Sequence, residues 1–180
     1  EYVDGLIVRR SPTKRISQSG NTAGKHPLWM AADAKRAVAS GKPVYLIEGE
    51  KDAGTLRALG YAAVTASGGG GNFAAKLDLD SACLALSGAH VDAIMDKDDT
   101  GTRWKEQVAQ TLTPFVRSLT FIQAAGEAHD ASDAAMSGLE FEILPSESSQ
   151  PESELKTELT PRAYSLTRLA DVEPERPLWL

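Results

Sequence analysis

Two segments, Val44-Tyr45-Leu46-Ile47-Glu48-Gly49-Glu50-Lys51-Asp52 and Val91-Asp92-Ala93-Ile94-Met95-Asp96-Lys97-Asp98-Asp99-Thr100-Gly101, are built alike. In each, a short β-prone apolar run stops at a carboxylate, a glycine lies close by, and a helix-compatible stretch follows. Short apolar runs that alternate with helical periodicity imply an α/β fold with a mostly parallel sheet covered on both faces. Ligands of such open sheets bind beyond the carboxyl ends of the strands. Carboxylates gathered there repel one another and resist ionisation unless a cation balances them. An all-oxygen donor set of this kind suits a hard ion, Mg²⁺ or Mn²⁺.

Working outward, the pattern predicts strands at 6–10 and 15–18 around a Ser11-Pro12-Thr13 turn, then a helix over 28–40 ended by Gly41. Strand 44–47, helix 51–59, strand 62–66 and a glycine-rich loop at 68–71 follow. A helix at 79–86, strand 91–95, a long helix at 102–112, strand 118–123 and a short helix at 132–137 complete a four-stranded, mostly parallel sheet flanked by helices. From Pro145 the chain changes character: Ser146-Glu147-Ser148-Ser149-Gln150-Pro151-Glu152-Ser153-Glu154 is acidic and lacks apolar periodicity. The expected organisation is a basic hairpin and helix at 1–42, an α/β domain at 43–144, a disordered acidic linker at 145–162 and the lead-in to a further domain at 163–180.

Composition narrows the classes. The chain has 180 residues and one cysteine, Cys83, which excludes a disulfide framework and a Cys-rich zinc site. No apolar run approaches the length of a membrane span and no signal peptide is present, so a cytoplasmic location is the default expectation. The chain starts at Glu1 without Met and reads as an excised or processed fragment. Residues 1–60 carry ten Lys/Arg against six Asp/Glu, while the remainder brings the net charge to −6. A uniformly basic nucleic-acid binder is excluded; a basic patch beside an acidic site is not.

Asp96 and Asp98 are two apart, so in extended chain both point to one side and can converge on one ion. An EF-hand fails, because the twelfth position counted from Asp96 is Gln107 and a strand precedes the loop. A purely structural alternative is an acidic loop capping the next helix, with Asp99 or Thr100 the better cap and Gly101 permitting the turn; Lys97 is expected to face solvent. Glu48 ends an apolar strand, where an unpartnered carboxylate is costly. Asp52 in the following first turn suits either a ligand role or the helix dipole, and Glu50 reads as a bystander. Ser67-Gly68-Gly69-Gly70-Gly71-Asn72 lacks the Walker A ending and the dinucleotide fingerprint. His129-Asp130-Ala131-Ser132-Asp133 offers two more acids at a helix start, with functional and structural readings evenly balanced.

Together these segments resemble the Toprim domain, the metal-binding fold shared by bacterial-type primases, type IA and II topoisomerases and some nucleases. The resemblance rests on Glu48-Gly49 with Asp52, then Asp96-Lys97-Asp98, with the glycine-rich turn between them. It covers roughly residues 43–144. Within the superfamily, Glu48-Gly49-Glu50-Lys51-Asp52-Ala53 with Leu56 and Leu59-Gly60, and His129-Asp130-Ala131-Ser132-Asp133, look like phage and plasmid primase–helicases. Lys14-Arg15 through Leu28 is similar to the basic subdomain that precedes Toprim in primases. Leu169-Ala170-Asp171-Val172 through Leu180 resembles the entry to a RecA-like ATPase, a zinc-binding module being absent.

The resemblance implies a DNA primase activity, RNA primer synthesis on single-stranded DNA from ribonucleoside triphosphates, with a RecA-like helicase domain in the same full-length polypeptide. It implies Glu48, Asp96 and Asp98 as catalytic metal ligands of a two-metal Mg²⁺ or Mn²⁺ site. Asp52, Asp130 and Asp133 become secondary ligands. Arg9, Arg10, Lys14 and Arg15 become template-phosphate contacts, and Lys51 faces either a nucleotide phosphate or solvent. The alternatives are a Toprim nuclease and a non-catalytic nucleic-acid-binding module coupled to a helicase. A topoisomerase is disfavoured because no tyrosine has nucleophile context.

Overall fold

In the computed structural model of the chain the described residues are 1–144 apart from Pro12, Lys14, Gly70 and Leu139; the Arg10 side chain is likewise not described. The linker expected at 145–162, the lead-in at 163–180 and the template contact expected of Lys14 lie outside the described residues.

The chain begins with an antiparallel hairpin of β1 (Leu6–Arg10) and β2 (Ile16–Gly20). A Cβ on Gly20, whose φ is +76°, would lie 2.1 Å from the Gly5 carbonyl oxygen, so the hairpin can close only on glycine. Leu6 and Tyr2 are buried, and His26, also buried, holds Asp4 at 2.6 Å through Nδ1. The hairpin is thereby fastened to the main body.

Helix α1 (Ala31–Ala39) starts three residues later than the apolar spacing predicts. Trp29 instead bridges to Thr65, its amide donating to the Thr65 carbonyl at 2.8 Å, and Met30 turns through a left-handed φ of 65°. The stretch before α1 therefore pairs with a sheet edge. Strands β3 (Val44–Ile47), β4 (Ala63–Thr65), β5 (His90–Met95) and β6 (Ser118–Ala124) are parallel. Helices α2 (Glu50–Ala58), α3 (Phe73–Lys76), α4 (Leu79–Leu86), α5 (Asp99–Leu112) and α6 (Ala131–Met136) connect them.

A fifth strand, β7 (Phe141–Ile143), pairs antiparallel with β6, so the order is β4-β3-β5-β6-β7. The fold is thus α/β with a mostly parallel sheet, of five strands where the apolar pattern predicted four. β7 and α3 are too short to show a period of their own. Alternate residues of β3 feed two cores: Val44 and Leu46 pack with Trp104, Val108 and Leu112, whereas Ile47 packs with Leu56, Ile94 and Ile122. This division follows from side chains alternating across a strand. Complete burial of a Trp104-sized apolar side chain is worth about 3 kcal/mol, which anchors α5 firmly beside β5.

β3 has β4 on one side and β5 on the other, so the chain reverses its direction of travel across the sheet between β3 and β5. A crevice opens at such a switch point, at the carboxyl ends of the strands.

Candidate active site

Glu48 and Asp96 follow directly on β3 and β5, and the pairing of these strands sets them side by side at the switch point. Glu48 Oε1 accepts the Asp96 backbone amide at 3.2 Å. Helix α5 presses close: a Cβ on Gly101 would lie 2.2 Å from the Asp96 carbonyl oxygen and 2.9 Å from Glu48 Oε1. Gly101 thus serves close approach from inside the helix, not the turn expected of it.

Asp98, not Asp99 or Thr100, is the N-cap of α5, its Oδ1 accepting the Gly101 amide at 2.8 Å. This bond satisfies an otherwise orphaned helical N–H and starts the helix at Asp99, three residues before the apolar spacing places it. Lys97 does not simply face solvent; its Nζ donates to the Gly126 carbonyl at 2.6 Å.

Asp52 is buried in the first turn of α2. The Ser132 hydroxyl donates to its Oδ1, and Thr55 Oγ1 lies 3.0 Å from Ser132 Oγ. Lys51 Nζ stands 3.3 Å from Asp52 Oδ1 and 3.1 Å from Asp130 Oδ2, joining α2 to the start of α6. Asp130 caps α6 by accepting the Asp133 amide at 2.8 Å, while Asp133 Oδ2 accepts the His129 amide at 3.3 Å. Asp130 is the N-cap, and Asp133 holds the amide of the residue before it, so both acids have a structural task.

Burial pushes Glu48 up to about 7, reinforced by Asp96, Asp98 and Asp52 and opposed by the Asp96 amide. Burial likewise raises Asp96 to about 6, with Asp52, Asp130 and Asp98 adding to it and Lys51 opposing. For Asp130 burial acts upward, but the Asp133 amide and Lys51 outweigh it, and the carboxyl lies below its usual range. Lys51 is moved down by burial and further up by Asp130 and Asp52, for a net rise. One side of the crevice is therefore neutralised by Lys51, and the Glu48–Asp96 side holds acids that ionise reluctantly.

These donors suit a hard divalent cation: all are carboxylate oxygens, and the raised pKa values mark negative charge that a cation would balance. In their present rotamers, no three His, Cys, Asp or Glu side chains among the described residues converge tightly enough to hold an ion. The reason is visible in their partners: Asp98 is turned to its cap, Asp52 to Ser132 and Lys51, and Asp130 to Lys51. Coordination would require side-chain rotation.

Beside the acids lies a cleft of about 540 Å³, lined on one wall by Val8, Ile16 and Gln18 of the hairpin and on another by Gly68, Gly69 and Lys76. Lys51 and Asp52 line it too, so the hairpin and the glycine turn overlook the acid cluster. Gly68 and Gly69 have φ of +96° and +64°, conformations that fit glycine. Of the cations expected at nucleic-acid phosphates, Arg9 and Arg15 are exposed on the hairpin, Arg9 donating to Ser19 Oγ at 2.9 Å. Neither lines this cleft, whereas Lys51 does.

The sequence reading missed three side chains. Ser132 and Thr55 orient Asp52, and Glu50, read as a bystander, accepts the Tyr2 hydroxyl at 2.9 Å and ties the hairpin to α2. Nothing in local spacing marks them, because the contacts join residues 80, 77 and 48 positions apart.

Among the described residues no helix is long and apolar enough to cross a membrane. No family model matches the chain, and no curated protein matches it. Among solved structures, the primase fragment of bacteriophage T7 primase-helicase protein is similar at 21% sequence identity with a TM-score of 0.51. The match covers 75% of this chain and 53% of that one, so the chain spans about half the length of that fragment. At this identity the likeness is one of fold: a primase-like α/β architecture with a mostly parallel sheet.

Proposed function

We propose that this chain carries a Toprim-type active site of a DNA primase, making short RNA primers on single-stranded DNA for the replication of a phage, plasmid or other mobile element. The observation that carries the reading is the pairing of Glu48 with Asp96 at the switch point, with Asp52, Asp98 and Asp130 close enough to perturb them. Glu48, Asp96 and Asp98 are the residues that would hold Mg²⁺ or Mn²⁺, with Asp52 next in line. Asp130 and Asp133 are weaker candidates, since their capping bonds engage them. Such ions supply a lowered pKa for the attacking 3′-hydroxyl and neutralise charge on the triphosphate and departing pyrophosphate.

The chain's own groups do the positioning. Ser132 of α6, itself bonded to Thr55, holds the Asp52 carboxyl toward α6, and Gly101 lets α5 close over Glu48 and Asp96. Lys51 stands at the cleft wall, half exposed, where an incoming triphosphate could draw it from Asp130. Arg9, Arg10, Lys14 and Arg15 are assigned to template phosphates, contacts that position a strand without reading its sequence. A RecA-like helicase domain in the full-length polypeptide is the corresponding partner.

The test uses the 180-residue chain with single-stranded DNA, labelled ribonucleotides and Mg²⁺ or Mn²⁺, resolved on a denaturing gel. New labelled oligonucleotides that vanish with Glu48→Gln and Asp96→Asn are expected. Synthesis retained in both variants removes the assignment, and shortened DNA without synthesis replaces it with nuclease chemistry.

A further inference from the structure

At the other end of the sheet, where the parallel strands begin, two clefts meet at Lys42. The larger, about 560 Å³, is walled by Asp33, Arg36, Arg57, Tyr45 and Tyr61 as well as Lys42. The smaller, about 340 Å³, also has Lys42 in its wall, with His90 and Arg117. Four permanent cations thus line these walls with one carboxylate, Asp33, and a second, Asp92, lies near Tyr45 and His90, in a chain whose net charge is −6. Asp33 binds both Arg36 and Arg57, and Arg57 also lies 5.6 Å over the Trp29 ring. These contacts hold the two guanidinium groups in place without neutralising both.

Helices α1 and α2 end at this cleft, and their partial negative charge would oppose an anion. Backbone bonds close both ends: the Ser40, Gly41 and Lys42 amides reach Arg36, Val38 and Ala37, and the Gly60 and Tyr61 amides reach Arg57 and Leu56. The carbonyls of Arg36, Ala37, Val38, Leu56 and Arg57 are thereby satisfied locally.

The same walls carry aromatic surface. Tyr45 and Tyr61 pack edge to face, centroids 5.3 Å apart at 82°, and Tyr61 remains 38% exposed. A small crevice of about 110 Å³ between them and Leu56 and Phe141 adjoins the pair. Cations strung along a channel beside aromatic rings suit a ligand that repeats an anionic group and a flat π-face. Single-stranded nucleic acid has this chemistry, its backbone following the charges while a base stacks on a ring.

We propose that the Arg36–Lys42–Arg117 channel is a binding track for single-stranded nucleic acid, separate from the acid crevice at the opposite strand ends. It stands on the channel's own chemistry and is measured without any primer synthesis. The probe is a fluorescein-labelled oligothymidylate, titrated by anisotropy with the full chain in EDTA over a range of salt. Lys42→Glu and Arg117→Glu should each weaken binding and lower the magnitude of the log–log salt slope by about 0.7, the share of one single-strand phosphate contact. Tyr61→Ala should weaken it at least about fivefold, the lower end for one stacked base, while Tyr61→Phe keeps wild-type affinity.

Lys25→Glu, on an exposed loop away from the channel, controls for net charge, and circular dichroism checks folding of each variant. Unchanged affinity and slope in folded Lys42→Glu and Arg117→Glu overturns the track. So does a loss confined to Arg9→Glu and Arg15→Glu on the hairpin, or an equal loss in Lys25→Glu.

Discussion

Glu48 and Asp96, 48 residues apart in sequence, are joined by a 3.2 Å bond from the Asp96 amide to Glu48 Oε1, which ties the ends of β3 and β5. This bond sets a carboxylate against a strand end under a tightly packed helix.

Gly101→Ala places a methyl where the Asp96 carbonyl and Glu48 carboxylate already stand. The obstructing atom nearest it is backbone, so α5 must shift. A loss of about 1–3 kcal/mol is expected in urea unfolding, typical of overpacking, together with loss of primer synthesis. Wild-type stability would show that α5 does not press on β5 as described.

Burial and neighbouring acids raise Glu48 to about 7 and Asp96 to about 6. Between their unfolded and folded pKa values the native state binds the extra protons, so raising the pH costs stability. In EDTA, the melting temperature should fall from pH 5 to pH 8 through this contribution. Glu48→Gln should flatten the fall, and Mg²⁺ should restore wild-type stability more at pH 8 than at pH 5. Identical pH profiles for wild type and Glu48→Gln would contradict this.

Lys51 competes with any cation for Asp52 and Asp130, which it meets at 3.3 and 3.1 Å. Lys51→Met should lower the Mg²⁺ concentration giving half-maximal thermal stabilisation. Because Lys51 is half exposed, the metal-free cost should stay within about 1 kcal/mol. A raised Mg²⁺ requirement would mean that Lys51 helps to form the ion site.

His26 joins the hairpin to the sheet domain: its ring holds Asp4, its amide donates to Lys76 and its carbonyl accepts from Asp78. Asp4→Asn should cost about 1–3 kcal/mol by weakening a charge-assisted bond at a buried ring. It should also expose the hairpin, read as faster proteolysis or amide exchange across β1 and β2. Unchanged exchange there would show that Tyr2 and Glu50 suffice as the anchor.

Much of this was legible in order and spacing. Strand β3 and helix α4 fall where periodicity places them, since apolar alternation and turn residues are local properties of the chain. The start of α5 was misplaced because capping overrode periodicity: Asp98 takes the Gly101 amide and draws Asp99, Thr100 and Gly101 into the helix. The start of α1 was misplaced for a tertiary reason, because Trp29 pairs with the edge of β4.

The alternating α/β order and the acids just beyond two apolar strands follow from local pattern. Those are consequences of side-chain period and strand length, which each segment carries alone. Packing of distant segments makes β3 and β5 neighbours, sets Ser132 on Asp52 from across the chain, and puts Lys42 in the walls of two clefts at the far end. Register, burial and shared charge depend on which segments meet, and no single segment encodes its neighbour.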